Sequence, residues 1–109
     1  MTGEEEQDPE VPETDQQEAL LKALSSVKDV ATYNLSLYAG QAWHHLGLVP
    51  LHGGAVPELD LEQAKLAIDL FEANLNTLSP YLGKELVKDL RRTLMDLQMN
   101  YINKSKRAE

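Results

Sequence analysis

The chain has no cysteine, which excludes disulfides, thiol catalysis and cysteine-based zinc or iron–sulfur sites. It has no apolar run near the roughly 20 residues of a membrane span and no apolar stretch of signal-peptide type at its N-terminus. The expectation is a soluble cytoplasmic protein. Aromatic residues are few, with one Trp, one Phe and four Tyr. Basic residues are missing altogether from residues 1–18, which carry eight acidic groups and so account for the whole net charge of −8. Residues 19–109 hold ten acidic and ten basic side chains and balance. An acidic segment on a neutral body repels phosphate backbones and gives no support for nucleic-acid binding.

At 109 residues the sequence holds one small domain at most. A chain this short is marginal alone, and association with another copy is an ordinary remedy. Residues 1–13, Glu-rich with Pro9 and Pro12, have too little apolar surface to offset their ordering entropy. They are expected to be a disordered leader, either solubilising or docking on a basic partner. Residues 14–103 are expected to form the helical domain and residues 104–109 a frayed basic tail.

Thr14 or Asp15 would cap a first helix. Apolar side chains recur at Leu20, Leu24, Val27, Ala31, Leu35, Tyr38 and Ala42, and His45 continues the line, all in steps of three and four. This predicts helix over about 16–46, either continuous or broken at Ser25-Ser26. Its stop is well specified. Gly47 suits the left-handed position after a helix, Leu48 would fold back on Trp43, and Pro50 prevents resumption. Residues 50–59 make a connection turned by Gly53 and Gly54. Asp60 with Gln63 reads as a capping box. Leu61, Ala64, Ile68, Phe71, Leu75 and Leu78 then form a heptad seam, flanked by Leu66, Leu70 and Ala73. Ser79-Pro80 reads as the start of the last helix, with Gly83 weakening its onset. Leu86, Leu90, Leu94, Leu97 and Tyr101 give that helix one apolar face; Val87, Met95, Met99 and Ile102 lie off it. The fold class is all-α, an antiparallel hairpin or bundle of three to four helices. Leu61, Ile68, Phe71, Leu75, Leu90, Leu94 and Leu97 are its expected core. The last two helices each have apolar residues on more than one face, which argues for a dimer or a partner groove.

These residues resemble a bacterial family of small proteins catalogued as domain of unknown function 1844. Its members look like a helix end Ala-x-x-x-Leu-Gly-x-x-Pro, matched by Ala42, Leu46, Gly47 and Pro50. A turn follows, then Asp-Leu-x-x-Ala-Lys-x-x-Ile-Asp, matched by Asp60, Leu61, Ala64, Lys65, Ile68 and Asp69. A closing Asp-Leu-x-x-x-Tyr is similar at Asp96, Leu97 and Tyr101. The chain departs where the family has a Lys-Thr-Gly-Asn-like connection, here Asn74–Pro80, and where its Arg after Asp-Leu is Gln98. The resemblance implies a helical cytoplasmic bacterial protein and carries over no catalytic residue or ligand.

Chemistry finds few candidates. His44 and His45 diverge by about 100° on a helix and cannot chelate one ion together. A weak site of His45 with loop residue His52 and a carboxylate matches no metal spacing; helical His in a last turn is better explained by the macrodipole. Trp43 serves either as a partner anchor or in the helix stop. Lys65 and Asp69 read as a surface pair, or Lys65 reaches loop carbonyls or the neighbouring helix. Ser36, Ala39, Gly40 and Ala42 suggest close approach of another helix, with Gly40 the position that Leu would disrupt. Nucleophile elbows, phosphate loops and paired catalytic carboxylates are absent. Arg91, Arg92, Lys84 and Lys88 are interleaved with Glu85, Asp89 and Asp96 and read as a solvated face. The expected function is therefore that of a non-enzymatic scaffold without cofactor, a homo-oligomer with the dimer favoured. One alternative is an adaptor using the acidic tail or the Met95/Met99/Ile102 stripe; another is a metal or small-ligand binder at His45/His52.

Overall fold

The computed structural model describes residues 13–50, 54–55 and 57–108. Four α-helices follow one another: α1 (Glu13–Ala23), α2 (Val27–His45), α3 (Leu61–Leu78) and α4 (Lys84–Ala108). A single 3-10 turn, Ser79–Tyr81, joins the last two, and no strand occurs among the described residues. The fold is all-α. No described helix is long and apolar enough to cross a membrane.

The long apolar line of the first half is broken at its serines. Ser26 is extended (φ −132°, ψ 159°), and its Oγ accepts from the Asp29 amide at 3.1 Å, an N-cap that starts α2. Thr14 and Asp15 do not cap α1, because the helix already begins at Glu13. α1 itself leaves Leu20 and Leu21 exposed, so the apolar line continues in sequence but the packing begins with α2.

α3 lies between its two neighbours, packed against α2 on one flank and α4 on the other; α2 and α4 meet only lightly. Leu35, Leu46, Phe71, Leu75 and Leu97 are the largest fully buried side chains. Burying a Leu or Phe stabilises by about 1.5–3 kcal/mol, so α3 and its two seams hold most of the fold. Ile68 and Leu94 are buried as expected; Leu90 is partly buried against the cluster, and Leu61 is only half-buried. Ala42, Ala64 and Ala67 are buried in the same cluster. Their small side chains let α2 and α3 lie close together.

Two expectations for the last helix need correction. Ser79-Pro80 opens the 3-10 turn, and α4 starts only at Lys84. Gly83 thus stands just outside α4, its carbonyl accepting from the Val87 amide at 3.0 Å, a position where glycine is tolerated. The stretch Asn74–Leu78 completes α3, as the seam through Leu75 and Leu78 predicts, at the place where the resembling family has a connection. At its other end α4 runs through the basic tail to Ala108, with Lys106 and Arg107 in the last turn, where the macrodipole favours cations.

Candidate functional site

The α2–α3 corner is fixed by a helix stop and a helix cap. Gly47 has φ +77°, donates to the His44 carbonyl at 2.9 Å, and is followed by a Leu48 amide donating to Trp43 at 3.1 Å. These are the two bonds of a Schellman stop. Leu48 keeps 37% of its surface exposed, and Trp43 is partly buried against the core. The side chain of Asp60 accepts from the Gln63 amide at 3.1 Å, capping α3. Its own amide donates to the His45 carbonyl at 2.8 Å. Asp60 therefore satisfies an orphan donor of one helix and an orphan acceptor of the other. Pro50 is half-buried just beyond the stop.

The histidines turn apart. His44 Nδ1 lies 3.2 Å from the Val49 carbonyl oxygen, which can only accept, so that nitrogen carries the proton. His45 Nε2 lies 3.2 Å from Gln41 Oε1. Their rings meet edge-on at 5.0 Å. Among the described residues no three His, Asp or Glu side chains gather around one point. His52 and the acidic leader 1–12 lie outside the described residues.

Lys65 donates to Asp69 at 2.8 Å, with both side chains more than half exposed. The hydrogen bond and charge of Asp69 raise the lysine pKa. Whatever the pair adds is complete below the lysine's ordinary pKa and is lost as pH climbs through the raised one. The pair borders a shallow depression of about 290 Å³ between α3 and α4, with Ile68, Gln98, Tyr101 and Ile102. Gly40 meets no helix of this chain, since a Cβ built there has nothing within 4 Å. The expectation that Gly40→Leu would disrupt either the hairpin or the oligomer is corrected for the hairpin by this open space, and buried Ala42 is the small residue at the α2–α3 contact.

Two apolar faces remain open. On α4, Met95, Met99 and Ile102 are 63%, 57% and 46% exposed, in a line that Lys88, Arg92 and Lys106 continue at both ends. The other face was missed by the sequence reading. Val30, Tyr33 and Leu37 lie exposed on the side of α2 opposite buried Leu35 and Ala42. Next to this side runs the α2–α3 groove, lined on α2 by Asn34, Tyr38, Gln41 and His45, and along it α3 exposes Leu66 and Leu70. The available signal was an absence: no Asp, Glu, Lys or Arg occurs from Val30 to Pro57.

A family model described as Domain of unknown function (DUF1844) matches residues 27–103. The match begins with α2 and ends within α4, leaving α1 outside. No curated protein and no solved structure matches the chain.

Proposed function

The chain belongs to the DUF1844 family, and from that premise we propose that it is a non-enzymatic helical interaction protein that self-associates through apolar helix faces. One observation carries the reading: among the described residues, more large apolar side chains are exposed than buried. Scattered exposed Leu or Val would be ordinary, but half of these, Val30, Tyr33 and Leu37 on α2, Leu66 and Leu70 on α3, and Met95, Met99 and Ile102 on α4, lie in lines, the pattern of covered faces. The resemblance supports a bacterial cytoplasmic setting.

Light scattering on the full-length chain, from micromolar to near-millimolar concentration, tests the reading. A mass of twice 12.2 kDa or more is expected. A mass of 12.2 kDa throughout would overturn self-association. A second reading, an adaptor contacting a larger complex, is favoured by the Met95/Met99/Ile102 line, because methionine suits adaptable surfaces.

A further inference from the structure

We infer that the charge-free face of the α2–α3 hairpin is the surface on which a second copy of this chain docks, two hairpins closing into a four-helix arrangement with each α4 outside. The inference rests on the self-association proposed above and specifies its place.

α2 is the anomalous helix. Its buried side faces α3, yet its opposite side is Val30, Tyr33, Leu37 and Gly40, at steps of three, four and three. From Val30 to its end it carries no Asp, Glu, Lys or Arg on any side. A helix without a charged face is ordinarily covered all round, and depletion of charge marks the centre of protein interfaces. The groove beside it continues the pattern. Two depressions of about 160 and 310 Å³ run between α2 and α3 with no Asp, Glu, Lys or Arg in their lining; His45 borders the first, and Lys28 stands only where the groove continues toward the start of α2. On α3, Leu66 and Leu70 line this groove, Lys65 and Asp69 border the depression toward α4, and Glu62 stands one turn before Leu66 at the end of the groove. α4, by contrast, flanks its methionines with Lys88, Arg92 and Lys106.

Area decides the occupant. α2 has 19 residues and is about 28 Å long. Two helices side by side present a face roughly 20 Å wide, or about 550 Å² in projection. Ridged side chains raise the accessible area above the projection, toward the roughly 800 Å² that each partner of a stable complex buries. The chain's own α1, 11 residues and about 16 Å long, is too short to cover it and would bring Asp15 and Glu18. A second α2–α3 face matches in length, width and neutrality. The balanced charge of residues 19–109 adds no net repulsion between the two bodies.

The test uses three full-length variants, Leu37→Glu, Leu70→Glu and Met99→Glu, compared with the unmodified chain by light scattering and circular dichroism. All three side chains are at least 40% exposed, so helix content should hold and the monomer should remain folded. The expected result is a dimer for the unmodified chain and Met99→Glu, and a twofold fall in mass for Leu37→Glu and Leu70→Glu. A dimer that survives both α2–α3 variants, or that breaks only with Met99→Glu, overturns this face while self-association stands. An unmodified chain that is monomeric throughout overturns both.

Discussion

Gly47 shows how much one residue decides here. At φ +77° it sits where an L side chain is strained, while a Cβ would stand at ordinary contact distance, 3.4 Å, from the Pro57 carbonyl oxygen, so the penalty is the backbone's. Gly47→Ala is expected to cost about 1–2 kcal/mol, read as a lower urea midpoint with an unchanged slope. No loss would mean that the helix stop relaxes into another conformation. Residue-scale features of this kind were the most legible in the sequence. The Gly47 stop and the Asp60 cap depend on backbone sterics and on neighbours three residues away, so their signals are local. The tie from Asp60 back to His45 was not legible, because it needs the loop's path.

At the scale of elements the least visible contact is Asn74. Its Nδ2 donates to the Ala31 carbonyl at 3.0 Å, joining helices 43 residues apart in sequence in a partly buried setting. Asn74→Ala is expected to lower stability by about 1 kcal/mol. Asn74→Asp should lower it further, since a carboxylate would face a carbonyl oxygen. Equal denaturation midpoints for all three would show that the bond adds nothing. The seam of Leu75 and Leu78 placed Asn74 on α3, as found, but its bond to α2 was not legible, because it depends on how the two helices lie against each other. Helix existence was legible from periodicity in α2, α3 and α4. The break before α2 stayed open, because two serines neither forbid a helix nor require a stop. The outer face of α2 was hidden by the method itself, since reading periodicity selects the stripe that repeats and passes over its opposite side.

For the whole molecule, thinness is the governing property: the smallest dimension is 20 Å, about two helix diameters. A layer this thin buries few side chains on both sides, so much of the stability of the native state would come from association. The melting temperature should therefore rise with protein concentration, measured by calorimetry over a hundredfold range. A concentration-independent value with a dimeric mass would mean that the protomer is stable by itself.

The placement of α3 between its two sequence neighbours also bears on how the chain acquires its structure. Each main contact joins helices consecutive along the chain, so little loop entropy must be surrendered before native contacts form. Synthesis delivers α2 first, then α3 to lie on it, then α4 to complete the other flank. No main contact among the described helices waits for a distant partner within the chain, and in the proposed dimer the slow encounter would be the second-order step in which two finished hairpins meet.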